Sequence, residues 1–367
     1  MGIPLLDLKR EYQAVAAEVR DTWTATLGEM HLLKGPQVTG FEQEIAAYIG
    51  TPYAVGVASG TDALLLGVLG LGIGAGDQVV LHANGFTADV EAIRYAGAEP
   101  VLVDVDAHGY GPDPDAVAQA ITPRTKAIMA VHMYGSPLHL ERLADMASAH
   151  GLALIEDASH AHGASRDGRK VGSFGRIGCF SCGIVKNLGA YGDAGFVTTA
   201  DAEVVARLRL LQTHGQEKKN HHVLYGFNSR LDELQAAVLR VKLRHLETRN
   251  RRRHAIATYY SERFASLDLR TPVEGAGEVH VYHQYVVRTS QRDRLQAHLK
   301  AAGVETGVHY PVPLHRQPCF ASLGYREGSF PEAEDAARTS LALPVYPELQ
   351  PDQLEYVAEQ IRAFYAG

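Results

Sequence analysis

The chain has 367 residues, 46% apolar and 21% charged, the composition of a folded globular protein with room for one large unit and a smaller one. Its formal net charge of −7 leaves no basic footprint and argues against a nucleic-acid partner. No apolar run is long enough to span a bilayer, the first residues lack the pattern of a secretory signal, and the three cysteines, an odd number, argue against a disulfide framework, so a membrane is not expected and a reducing cytoplasm is.

Tyr12, Val15, Val19 and Trp23 recur every three to four residues and predict a helix from Leu8 to about Leu27. Gly35-Pro36 interrupts it, and a second helix is predicted over 39–48, with Thr39 and Glu42 spaced as a capping box. An apolar strand then turns through Ser59-Gly60-Thr61-Asp62 directly into an apolar helix. The free N–H groups of such a helix start, with a hydroxyl and a glycine beside them, suit a phosphate; the same residues also serve as a plain N-cap. Glycines 70, 72, 74 and 76 do not form G-x-G-x-x-G and read as a helix end and turn.

Strands are predicted at 78–81, 101–105, 127–132 and 152–157, with helices at 114–121 and 140–150 between them. This alternation, with near-continuous apolar strands, predicts an α/β fold with a mostly parallel central sheet. Ligands in such sheets sit beyond the carboxyl ends of the strands, where Phe86, Asp157 and Lys186 fall.

The run 177–182 reads as a further strand leading to Lys186, a glycine-rich turn and a strand at 196–199. Burial would lower the pKa of Lys186 and free its amine as a nucleophile toward carbonyls, although the segment alone fits an ordinary surface lysine equally well. Cys179 and Cys182 form a C-x-x-C, but strand positions three apart face opposite sides and no second such pair completes a zinc site; packing is the expectation, with no metal. A long helical pattern over 231–264 carries a charge run at 249–254, expected as a solvated face and as the region of a hinge. A strand at 279–287 and helices at 291–302 and 351–365 then suit a smaller α+β domain, dividing the chain into 1–248 and 249–367.

Several motifs, taken together and in order, resemble the DegT/DnrJ/StrS family of pyridoxal-phosphate-dependent sugar aminotransferases. They are Ser59-Gly60-Thr61-Asp62-Ala63-Leu64, Thr122-Pro123-Arg124-Thr125-Lys126-Ala127-Ile128, Glu156-Asp157-Ala158-Ser159-His160-Ala161-His162-Gly163, and Lys186-Asn187-Leu188-Gly189-Ala190-Tyr191-Gly192-Asp193. Asn228-Ser229-Arg230-Leu231-Asp232-Glu233 and His309-Tyr310-Pro311-Val312-Pro313-Leu314-His315 complete the set. The resemblance implies the aspartate-aminotransferase fold (fold type I) and pyridoxal 5'-phosphate, with its pyridoxamine form in the cycle. It also implies a homodimer with shared active sites, an amino-acid donor and a keto-sugar acceptor.

Residue by residue, it implies that Lys186 holds the cofactor and then moves the proton, and that Asp157 pairs with the pyridine nitrogen. Gly60, Thr61 and Ser181 would bind the phosphate, with Asn228 reaching the same site from the partner subunit. Phe86 would stack on the ring and His160 would stand near the phenolic oxygen. Arg230, His309 and Tyr310 would line the substrate pocket. The chain departs from the family at Cys182-Gly183-Ile184-Val185, where an aromatic pair, a proline and a hydroxyl residue are usual, and at His82, where some members carry proline. Small residues at 182–185 leave room for a differently posed acceptor, so a cyclitol (inosose) is the nearest alternative. A non-catalytic regulatory protein would not need Lys186, Asp157 and Asn228 together, and a dehydratase of this family would carry histidine in place of Lys186.

Overall fold

The computed structural model describes residues 2–107, 109–137 and 139–367. Its centre is a seven-stranded sheet of β1 (Tyr53–Val57), β2 (Gln78–His82), β3 (Glu99–Val103), β4 (Thr125–Val131), β5 (Ala153–Asp157), β6 (Ile177–Ser181) and β7 (Gly195–Thr199). The spatial order is β1-β7-β6-β5-β4-β2-β3. Neighbours from β6 through β3 pair in parallel, and β7 alone runs against both of its neighbours. Residues 182–194, which join β6 to β7, contain no helix to carry a parallel crossover, and the chain returns antiparallel.

The helices are α1 (Leu8–Glu29), α2 (Pro36–Ile49), α3 (Gly60–Gly70), α4 (Thr87–Tyr95), α5 (Pro114–Ala120) and α6 (Leu140–Ala149), followed by α7 (Ala202–Leu211), α8 (Glu233–Leu243), α9 (Leu246–Phe264), α10 (Arg292–Ala301), α11 (Pro331–Thr339) and α12 (Pro351–Ala366). One core packs α3, α4 and α7 on one face of the sheet, and a second packs α2, α5, α6 and α8 on the other. Both faces of the central strands are therefore buried, which is why their sequences read as unbroken apolar runs. Cys179 belongs to the first core and Cys182 to the second, so the C-x-x-C is a packing pair split across the sheet, as expected. A third core gathers Ile256, Tyr260 and Phe264 of α9 with Leu299, Leu354, Ile361 and the two-stranded sheet of β8 (Tyr285–Arg288) and β9 (Ser340–Leu343). Ile3 joins it, bridged to Val304.

Several expectations are corrected. Helix α2 starts at Pro36, whose fixed φ suits the first helical position, so Thr39 and Glu42 form no capping box. Glu233, fully buried at the start of α8, instead accepts the N–H groups of Gly35, Gln37 and Val38. The predicted helix over 231–264 is two helices, broken at Arg244 and His245. The charge run on α9 is not a solvated face: Arg253 is buried and donates to the Tyr282 and Val345 carbonyls, Asn250 is buried, and Arg249 pairs with Glu348 at 2.6 Å. The predicted strand over 279–287 is interrupted at Tyr282, whose φ is 43°.

Two links set the carboxyl edge of the large sheet. Asp104, just past β3, accepts the N–H groups of Glu332 and Ala333 at the start of α11 (3.0 and 2.9 Å). Leu314 N–H donates to the Ala83 carbonyl just past β2 (2.9 Å), which carries the segment with His309 and Tyr310 to the strand ends.

Candidate active site

Strand β5 ends in two acids that the strand period sends to opposite faces. Glu156 turns into the fold, where it accepts the N–H groups of Gly172, Phe174 and Gly175 and pairs with His132. Asp157 turns the other way, toward α3 and α4. Its Oδ1 accepts the Ser159 N–H at 2.9 Å, and Ser159 Oγ in turn accepts the Ser181 N–H at 3.1 Å. These bonds hold the loop after β5 against the end of β6. His160 follows on that loop, its ring 4.5 Å from that of His283, and its Nδ1 accepts the Tyr134 N–H. Burial, and then the nearby Lys186 charge, hold the His160 imidazole well below the usual histidine range, so it is a neutral ring with its proton on Nε2.

Ser59 caps α3 by accepting the Asp62 N–H. The first-turn N–H groups of Gly60 and Thr61 have no intrahelical acceptor, as at any helix start, and they open toward Ser181. Gly60 has to be glycine: a Cβ there would lie 2.4 Å from Ser181 Cβ, so a side chain would push the helix end away from β6. Lys186 follows β6 in a turn closed by its own N–H to the Gly183 carbonyl. Among the described residues, no hydrogen bond or ion pair engages its amine.

One cavity of about 350 Å³ brings together Gly60, Thr61, Phe86, Asp157, His160, Ser181, Lys186 and Tyr310. The structure does not bring in every residue expected from the resemblance. His309 stands beside the cavity, with its carbonyl accepting from the Tyr134 hydroxyl and its imidazole held down by burial and by Lys186. Asn228 is exposed, bridged to Thr213, and lies outside the cavity; Arg230 lines a separate groove with Lys34 and Arg209. His162 packs on Phe180 and lies near the Cys182 thiol, a core position. Sequence reasoning missed Asp89, which lines the cavity from α4, and His283, which stacks on His160. The signal for Asp89 was an acid three and four residues before Ala92 and Ile93, on the apolar face of α4.

Residues 13–362 match the DegT/DnrJ/EryC1/StrS aminotransferase family. The chain belongs to that family. It is 44% identical over all of its length, and 99% of the relative's, to a pleiotropic regulatory protein of Geobacillus stearothermophilus. It is also 44% identical to a dTDP-3-amino-3,4,6-trideoxy-α-D-glucose transaminase of Streptomyces venezuelae, covering 98% of this chain and 95% of that one. Among solved structures, DesV of S. venezuelae, in complex with a ketimine intermediate, superposes with a TM-score of 0.98 at 43% identity, covering 100% of this chain and 99% of that one. This aminotransferase has the α/β fold of its relatives, and its cofactor is pyridoxal phosphate.

Burial lowers the pKa of Lys186 below the ordinary lysine range, and the Asp157 carboxylate partly offsets it. A lowered value means that the neutral, nucleophilic amine persists to lower pH. Capture of pyridoxal phosphate by the aminotransferase, followed by visible absorbance, is therefore expected to reach half its plateau at a lower pH than capture by free lysine. A profile that coincides with free lysine would contradict the burial argument.

Proposed function

We propose that this aminotransferase moves an amino group from L-glutamate or L-glutamine to a nucleotide-linked keto-sugar (a dTDP-, UDP- or GDP-keto-deoxysugar), in the making of amino sugars for antibiotics or polysaccharide. The observation that carries the reading is an uncommitted Lys186 amine sharing one cavity with the Asp157 carboxylate and with the open N-terminus of α3. Those groups fit pyridoxal phosphate: an amine for its carbonyl, a carboxylate for its ring nitrogen, and free N–H groups for its phosphate. When bound, that ring supplies an electron sink for charge developing on the donor's α-carbon.

The chain's own residues do the rest. Gly60, Thr61 and Ser181 bind the phosphate through the helix N–H groups and the Ser181 hydroxyl. Asp157 keeps the ring nitrogen protonated. Phe86 covers one face and keeps water from the reacting carbon. His160 offers its Nε2–H on the phenolic side. Lys186, once released by the donor, holds the proton that leaves the α-carbon and returns it.

We place the enzyme as a homodimer in the cytoplasm. Asn228 is exposed on its own chain, and Phe86, at the cavity, is 53% exposed, an unusual state for a ring in a working site. A second copy that covers Phe86 and brings Asn228 and Arg230 to the neighbouring cavity accounts for both. Three unpaired cysteines suit a reducing compartment.

The sugar assignment is supported by the S. venezuelae transaminase, which is named for a dTDP-linked amino sugar. One observation favours a second acceptor class: a Cβ at Gly183 would touch only Ser181 Oγ, at 3.6 Å, so the space the usual aromatic fills is open. A cyclitol is the competing acceptor.

The test is spectral. Protein loaded with pyridoxal phosphate is given L-glutamate, then L-glutamine; one donor is expected to bleach the visible band. The amine-loaded protein is then offered nucleotide-linked keto-sugars and inososes, with products read by mass spectrometry. A nucleotide-linked sugar that restores the band supports the proposal. Restoration by inososes alone replaces it with the cyclitol reading, and a protein that never takes up the cofactor replaces it with a regulatory one.

A further inference from the structure

Asp89 is a buried acid that the roles above do not use. It lies in the first turn of α4 between Ala88 and Val90, and is 1% exposed. Its Oδ1 has no hydrogen-bond partner among the described residues. No cation makes an ion pair with it among the described residues, yet it lines the cavity together with Asp157, near enough for that carboxyl to bear on it. Oxygen can meet oxygen in a hydrogen bond only if one of the two carries a proton. The titratable groups around the pair include Lys186 after β6, Cys179 on β6 and Tyr310 on the segment tied to β2.

We propose that Asp89 is a positioning residue: it stays protonated at neutral pH and donates that proton to Asp157, holding the Asp157 carboxylate ionised and aimed for the ring nitrogen of the cofactor. The inference rests on the role given to Asp157 above. Magnitudes favour the proton on Asp89. The α4 N-terminus would favour an ionised Asp89 only modestly, whereas a second bare charge in a buried carboxyl pair costs several times more. Burial, and then the Asp157 charge, push the Asp89 carboxyl well above the usual range. Asp157, in contrast, also accepts the Ser159 N–H, which stabilises its charge. With a protonated ring nitrogen in place the three groups sum to neutrality: one cation, one anion and one neutral acid. If Asp89 were ionised as well, these three groups would carry a net negative charge.

The probe is pyridoxamine phosphate, which binds without a covalent bond to Lys186. Its affinity is measured by calorimetry for the wild type, Asp89→Asn, Asp89→Ala and Asp157→Asn. An infrared spectrum in the carboxylic-acid C=O region is taken on the bound wild type and on bound Asp89→Asn. The alanine variant is expected to bind about tenfold more weakly, the scale of one lost hydrogen bond to a charged group, and the isosteric asparagine, whose amide still donates, is expected to restore affinity to within about threefold. A protonated-carboxyl band is expected at neutral pH in the bound wild type and is absent from bound Asp89→Asn.

Equal affinities for wild type, asparagine and alanine would make Asp89 a bystander. Asparagine as weak as alanine, or no acid band in the bound wild type, would mean that Asp89 acts as a charge; either result overturns the proposal. The infrared readout on wild type decides the matter even if the alanine variant does not fold. A wild type that ignores pyridoxamine phosphate, or an Asp157→Asn variant that binds it as tightly as wild type, overturns the role of Asp157 and this inference with it.

Discussion

Lys186→Ala is expected to lower the rate of amino transfer by at least about 10³-fold while leaving the protein folded and able to hold the cofactor. The loss combines two functions of one amine: covalent capture and proton transfer, the second of which alone is typically worth about 10²–10⁴-fold. Folding should be spared because the amine makes no hydrogen bond or ion pair among the described residues, and removing it relieves a desolvated group. Two measurements separate these functions. Borohydride reduction followed by peptide mapping should fix the cofactor to the Lys186 peptide in the wild type and to no peptide in the variant. A single-turnover mixing experiment with the donor should show the slow step, and exogenous small amines should restore part of it. A variant that transaminates at the wild-type rate would mean that another base moves the proton. Among the groups at the cavity, His160 is poorly suited to that, since burial keeps it neutral and its Nδ1 is committed to the Tyr134 N–H.

Much of this site was legible because its parts are local. Ser59-Gly60-Thr61 is a strand, a turn and a helix start within a few residues, and the glycine is required because a Cβ there would lie 2.4 Å from Ser181 Cβ at the end of β6. Asp157 and Lys186 both follow apolar strands, and the topology puts neighbouring parallel strands β5 and β6 side by side, so the two groups meet. What the sequence hid was non-local or conformational. Asp89 reads as a solvated acid until α4 is known to be pressed against the sheet. The break between α8 and α9 leaves helical periodicity on both sides, so nothing in the pattern marks Arg244 and His245. The charge run on α9 was misread because arginines such as Arg253 are buried by carbonyls of distant loops, which no local pattern reveals. Asn228 and Arg230 illustrate the limit of a single chain. Their backbone is pinned beside α3, with Ser229 Oγ donating to Asp62, yet neither lines the cavity of its own subunit.

Asp157→Asn is expected to lower the rate on the order of 10²-fold, with a smaller loss of cofactor affinity. The amide keeps the size of the carboxyl, and its oxygen can still accept the Ser159 N–H, so the loop that carries His160 should stay in place. What it lacks is the charge. A neutral partner no longer favours a protonated ring nitrogen, and removing one member of a buried charge pair typically costs about 2–5 kcal/mol, of which about 3 corresponds to the expected factor. The penalty should fall mainly on the chemical step rather than on donor binding, because a protonated ring matters most when electrons flow into it. A fall in kcat with little change in donor KM is therefore expected. The variant also makes a second, independent statement. Lys186 loses the main carboxylate influence that offsets its burial, so its pKa should fall further and the pH profile of cofactor capture should move to lower pH than in wild type. A variant whose profile stays in place would separate Asp157 electrostatically from Lys186, and one whose rate also stays in place would remove Asp157 from the chemistry.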